Sequence, residues 1–447
     1  MSTMRTCLAL TGAIAAGLTC MTASAVEVSY SGYGTVGYAQ SDQSYNYQRY
    51  INRNGTFERD SIFGAQADVK FSEQWGATVQ AKLAPSITRD NRWDASLSWA
   101  FLSYRPSNDL LVRVGKQRVP LYLYSENMDV GVTYDFARLP GEMYSIAPTT
   151  DYVGAAFDKT WSRDIGEFTL DGYVGKINSN WRFYQRDNVN ITGSQTKPGS
   201  NFQGFSMDGM GMVLTWVQDE NKYRIGAHRI SVDTKPGEYF PANMSLVPAS
   251  AINASLAPYI SGTTYTLLPS DKITRIESMV YTLGAEVHLP QNFMMIGEYG
   301  RRQVKNAVTG VDTTGGYLSL LKQVDAWTPY VSYARIRSNG NALSLYQAVN
   351  ANSNGLTDLT GGFNSTVAGT VQTLNASQRV LADALSVFDQ RTISLGVSYR
   401  VTPTQKIKAE WARTHVGIAS TFVDAPSGSN VSDRNIDVLS LSYNFAF

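Results

Sequence analysis

Residues 62–83 read IFGAQADVKFSEQWGATVQAKL. Phe63, Ala65, Ala67, Val69 and Phe71 share one parity, and Gly64, Gln66, Asp68 and Lys70 the other. A tight Ser72-Glu73-Gln74 turn reverses the chain. Trp75, Ala77, Val79, Ala81 and Leu83 then alternate with Gly76, Thr78, Gln80 and Lys82. Period-two alternation on both sides of a short turn describes a β-hairpin with one apolar and one polar face. The last residues repeat the pattern: Leu441, Tyr443, Phe445 and Phe447 take one face, and Ser442, Asn444 and Ala446 the other. A strand that keeps alternating up to an apolar ring calls for strand partners on both sides and an apolar medium against one face. Taken alone, either stretch also fits a soluble β-sandwich.

The hairpin recurs along the chain. Strands are expected near 27–39, 95–105, 110–117, 150–161, 167–177, 208–218, 222–231, 276–289, 293–303, 315–323, 326–336, 391–401, 406–416 and 435–447. With the quoted hairpin the total is about sixteen, an even number that lets the first strand pair with the last and close a barrel. Short turns alternate with long connections at roughly 40–59, 84–94, 118–149, 178–206, 232–275, 304–314, 337–390 and 417–434. This is the rhythm of a membrane barrel with turns on one side and loops on the other. Charged residues fall in mid-strand on the polar parity (Asp68, Asp171, Arg224, Glu286, Glu298 and Glu410), where a wide barrel places them in an aqueous lumen. Trp75, Trp161, Phe168, Trp216, Tyr223, Trp327, Tyr399, Trp411 and Phe447 gather near strand ends, as two interfacial belts of rings would.

The N-terminal MSTMRTCLALTGAIAAGLTCMTASA has one cation, Arg5, a small apolar run and an Ala23-Ser24-Ala25 triplet. It reads as a signal peptide over 1–25, cleaved after Ala25, with a single barrel domain over 26–447. The apolar run is too short for a membrane anchor, and Gly17-Leu18-Thr19 fits poorly before a lipidated Cys20. Both cysteines, Cys7 and Cys20, lie in that segment, so the mature chain is expected to form no disulfide and no thiolate metal site. Removing Arg5 leaves 38 − 1 = 37 basic against 37 acidic residues, no field to recruit nucleic acid.

From YSGYGTVGYAQ in the first strand to Phe447, the mature chain resembles Gram-negative outer-membrane porins of sixteen strands. The stretch VGKQRVPLYLYSENMDVG is loosely similar to the segment after the fifth strand in phosphate-selective and related porins. The resemblance implies a passive channel for small hydrophilic solutes, commonly a homotrimer among outer-membrane lipid. It also implies that Phe447 belongs to the signal read by the barrel-assembly machinery. It further implies that the third loop, 118–149, folds inward and narrows the pore. The loop carries Arg118, Glu126, Asp129, Asp135, Arg138 and Glu142, rings at Tyr122, Tyr124, Tyr134, Phe136 and Tyr144, and prolines 120, 140 and 148. Alternation directs Lys70, Lys82, Arg113, Arg224, Arg302, Arg400 and Lys408 to the lumen, with Glu286, Glu298 and Glu410. An acidic loop against a basic wall sets a transverse field; each charge taken singly reads equally well as a wall salt bridge. NASQRVLADALSVFDQ, Asn375 to Gln390, has helical spacing and suggests a short helix at the mouth.

No catalytic reading is favoured. His228, His288 and His415 lie in three separate strands with no metal-binding spacing, no serine sits in a supportable relation to them, and no phosphate-binding glycine loop occurs. No cofactor or metal is expected. The first strand starts almost at the cleavage site, leaving no room for an N-terminal plug. A substrate-specific channel and an adhesive barrel with a blocked lumen are the alternatives.

Overall fold

The computed structural model describes residues 26–447 apart from 148–150, 188, 192–193, 235, 249–264, 308–310, 356–377, 379, 427–428 and 430. The signal segment and its cleavage point, the end of the third loop with Pro148, and residues 375–377 and 379 lie outside the described residues.

Sixteen antiparallel strands close into one barrel. They are β1 (Glu27–Ser41), β2 (Ile62–Lys70), β3 (Trp75–Pro85), β4 (Trp93–Ser107), β5 (Leu110–Arg118), β6 (Asp151–Arg163), β7 (Gly166–Gln185) and β8 (Gly199–Gln218). There follow β9 (Asn221–Asp233), β10 (Arg275–Leu289), β11 (Phe293–Val304), β12 (Thr313–Lys322), β13 (Trp327–Ser338), β14 (Phe388–Thr402), β15 (Gln405–Ser420) and β16 (Arg434–Ala446). Closure joins β1 to β2 on one side and to β16 on the other, with Tyr33 opposite Ala446 and Ser41 opposite Val438. Phe447 extends that seam: its amide and carbonyl exchange 2.9 Å bonds with Gly32. Every main-chain group in the wall can thus be satisfied by a neighbour, which is what lipid demands.

Alternation in the sequence becomes two surfaces. On the outer one Phe63, Val79, Leu83, Val174, Leu318, Ile393, Leu395 and Leu441 are exposed. On the inner one Ser319, Ser332, Ser398, Lys408, Glu298 and Glu410 are buried. One bulge, where Ala81 and Gln80 face Leu97 and Trp99, inserts Ser98 into β4 and turns Trp99 and Phe101 inward.

Three expectations are corrected. β7 and β8 run eight residues past 177 and begin nine before 208, and they pair over their whole length from Gly199 with Gln185. That extension meets other loops rather than lipid: Trp181 donates to Ser386 at 2.7 Å and Arg182 binds Asp424 at 2.5 Å. Eight of the nine rings named above gather in one belt, and Trp411 stands above it. Trp75–Tyr104, Trp161–Phe168–Trp216–Tyr223 and Trp327–Tyr399 stack at the short-turn end, where Phe445 and Phe447 also pair. Outward rings above that level include Tyr299, Tyr333 and Trp411. At 375–390, the described helical residues 380–384 give way before Phe388, which already belongs to β14.

A small second core covers part of the long-loop end. A helix at Gly340–Gly355 contributes Ala342, Leu343 and Val349, packed with Val311, Ala382, Leu385, Val387 and Ala419.

Candidate pore constriction

The third loop lies inside the barrel. Its sequence explains why: Val119, Leu121, Tyr122, Leu123, Tyr124, Phe136, Met143, Tyr144 and Ile146 are all buried, and burial of that apolar surface stabilises the inward position. A loop left in water would leave it exposed. Facing glycines make room. A Cβ on Gly315 would stand 2.3 Å from the Glu142 carbonyl oxygen, and one on Gly300 2.8 Å from Ile146.

Polar pins hold the loop on opposite walls. Asp129 accepts from Lys82 of β3 and from Arg118 at the end of β5, each at 2.7 Å. Eight strands around the ring, Glu298 of β11 accepts from the Leu123 amide at 2.8 Å, the Tyr144 hydroxyl at 2.8 Å and the Tyr317 hydroxyl at 2.9 Å. In a ring of sixteen, strands eight apart face each other, so the loop spans the lumen. Arg224 of β9 donates to the Pro120 carbonyl at 2.7 Å. Lys408 of β15 donates to the carbonyls of Gly131 at 2.6 Å and Phe136 at 2.9 Å, with its ammonium 4.1 Å from the Tyr134 ring centroid. Lys406 pairs with Asp135 at 2.7 Å, and Tyr330 accepts from the Ala137 amide and donates to Glu410. Glu142 is buried in the tip of a short helical turn, Gly141–Tyr144, and accepts from Gln390 and Thr392 of β14. Arg138 reaches Asp60 of the first loop at 3.1 Å.

The expected site residues therefore separate into groups. Arg118, Asp129, Asp135, Arg138, Glu142, Lys82, Arg224, Glu298, Lys408 and Glu410 converge on the loop. Arg113 donates to both Asp158 carboxylate oxygens at 2.8 Å and lies 4.0 Å from Glu126, whose side chain is 54% exposed. Glu286 acts on Tyr124: burial, reinforced by the Glu286 carboxylate, pushes that hydroxyl well above its usual pKa. Arg302 donates to the Val311 carbonyl in the loop after β11. Lys70 and Arg400 sit away from the loop at the short-turn rim, with Glu73 and the Asp325 carbonyl respectively. Lys406, Asp158, Tyr317 and Tyr330 were not singled out in the sequence. Lys406 shares the parity of Lys408, so alternation carried that signal. A cleft between the loop and β4–β7 is lined by Trp99, Arg113, Glu126, Tyr152, Asp158 and Asp171 and encloses about 20 Å³, room for about one water.

Burial raises the Asp129 carboxyl, but the Arg118 and Lys82 cations outweigh it and hold it well below the ordinary carboxylate range. A folded pKa below the unfolded one gives stabilisation that is complete above pH ~4 and fades as pH falls through the lower folded value. Conductance recorded at stepped pH is expected to show no added gating noise from this contact between pH ~7 and ~4, and noise only below that. Noise at neutral pH in Asp129→Asn alone completes the expected pattern.

No family model and no curated sequence matches the chain. Solved structures do. A loop L8 deletion mutant of OmpT, an outer membrane protein of Vibrio cholerae, is 10% identical, covers 95% of this chain and 100% of its own, and has a TM-score of 0.51. The trimer form of in-vitro folded OmpT gives 10%, 95%, 100% and 0.50. An anion-selective porin from Comamonas acidovorans gives 10%, 94%, 100% and 0.49. At these identities the likeness speaks for the fold alone, a closed antiparallel barrel of sixteen strands.

Proposed function

We propose that the chain is a porin: a channel for passive diffusion of small hydrophilic solutes or ions, exported by a signal peptide removed after Ala25. The observation that carries this reading is the third loop, fixed across the full width of the barrel between Lys82 on β3 and Glu298 on β11. Most loop charges serve to hold it. Glu126 and Arg113 remain beside the lumen cleft with Asp158 and Asp171, and we assign the choice among solutes to that group. A homotrimer is favoured by the trimer form of OmpT that shares the fold. Phe447 is assigned to recognition by the barrel-assembly machinery during insertion.

A lumen closed by its loop, with the long loops as a binding surface, is the second reading. It is favoured by the anchoring of the third loop on opposite walls, to Lys82 and to Glu298. Planar-bilayer recording of the refolded chain separates the two. A trimeric porin opens in groups of three equal steps, and a salt gradient reads the charge preference as a reversal potential. A barrel closed by its loop gives no steps.

A further inference from the structure

The outer wall carries arginines at the long-loop rim, and most have carboxylates. Arg229 pairs with Glu277 at 2.6 Å, Arg413 with Asp437 at 3.3 Å, Arg337 with Asp389 at 3.4 Å and Arg275 with Asp208 at 3.5 Å. Arg301 of β11, Arg335 of β13 and Arg391 of β14 are exposed and, among the described residues, have no acidic partner within ion-pair distance. They are neighbours. Arg335 stands directly opposite Arg391 on one side and Gly316 on the other, while Thr314 lies between Arg301 and Arg337. Gly316 leaves the floor bare, and an open depression of about 750 Å³ is lined by Arg301, Arg335, Arg337, Thr314, Gly316 and Tyr333 and by Asp312, whose carboxylate accepts from the Val304 amide; Arg391 stands beside it, opposite Arg335. Like charges directly opposed across a ladder repel, so the patch favours an anion among the guanidinium groups.

Its height selects the anion. Arg301, Arg335 and Arg391 each stand eight residues from an outward ring at the short-turn end: Phe293, Trp327 and Tyr399. At the usual rise and tilt this is about 20 Å, close to the far edge of the apolar band. Below the arginines the wall is apolar and exposed at Leu318, Val331, Ile393 and Leu395. A basic cup above an aliphatic wall fits an acylated, phosphorylated headgroup, since guanidinium forks match phosphate oxygens in pairs. We propose that this face binds a phosphorylated, acylated saccharide lipid of the outer leaflet, its phosphates among Arg301, Arg335 and Arg391 and its chains along Leu318 and Ile393.

The test uses the refolded full chain in detergent, titrated with diphosphoryl lipid A and read by native mass spectrometry. Wild type is expected to retain the lipid, with R301Q/R335Q/R391Q binding at least tenfold more weakly and R229Q unchanged. Dephosphorylated lipid A should bind wild type at least tenfold more weakly than the diphosphoryl form. Heat-modifiable mobility on a gel reports folding, and R335Q or R391Q alone, with a partial loss, serves if the triple variant fails to fold. Equal binding by the variants, or equal binding of both lipids, overturns the proposal. Complete displacement by millimolar inorganic phosphate assigns the cup to a free anion instead. Loss of oligomer on substitution assigns it to a second copy of the chain, which also overturns it.

Discussion

Excising the third loop, with a short Gly/Ser bridge in place of residues 121–147, is expected to raise single-channel conductance several-fold. The loop is the material that fills the lumen: it crosses from β3 to β11, and its aliphatic and aromatic side chains are buried inside the wall. A sixteen-strand wall by itself is wide enough for an aqueous channel. The barrel should survive the excision, because its strands are joined by a continuous ladder and its outer face meets lipid in either case. Heat-modifiable mobility on a gel checks that. Unchanged conductance from a folded, loop-free barrel would mean that the narrowest point lies elsewhere.

Glu298→Ala is the most damaging single change expected in the constriction. The carboxylate collects three donors, from Leu123, Tyr144 and Tyr317, in a fully buried position. Alanine leaves them without an acceptor and opens a void between loop and wall. The cost is on the order of 3 kcal/mol to the loop-in state. The hydroxyls of Tyr144 and Tyr317 can turn to other acceptors, while the Leu123 amide cannot. The expected result is a barrel of normal heat resistance whose current flickers between two levels, the higher one close to that of the loop-free channel. Glu298→Gln keeps an acceptor and should flicker much less. A steady current in Glu298→Ala would show that the apolar packing alone holds the loop.

The barrel was legible in the sequence because lipid on one side and water on the other enforce a strict parity, as at Phe63–Lys70. What parity leaves out is backbone. Lys408 points inward as its position dictates, yet it binds carbonyls of Gly131 and Phe136, acceptors that no side-chain pattern displays. Asp129 and Glu142 could be named as loop acids, but not their partners on β3 and β14, since the fold of the loop decides which wall each one meets. β7 and β8 were read short because NSNWRFYQ has no lipid to face. Those residues stand beyond the apolar band and pair with each other and with Ser386 and Asp424. Ser98 was invisible as a bulge, since one inserted residue leaves alternation intact on both sides and only shifts its phase.

The arrangement separates two tasks. Asp129 and Asp135 on the third loop are matched by wall lysines, Arg138 by Asp60 of the first loop, and Glu142 by neutral donors of β14, so these charges are spent on holding the loop. The charges beside the cleft, Arg113, Glu126, Asp158 and Asp171, are the group to which the proposed function assigns the choice among solutes.

Single-channel current of the unmodified refolded chain in a planar bilayer tests the central claim most directly. Stable steps are expected at neutral pH, smaller than those of the loop-free barrel. Silence from a correctly folded, heat-resistant barrel would contradict it, and would leave the long loops as the functional surface.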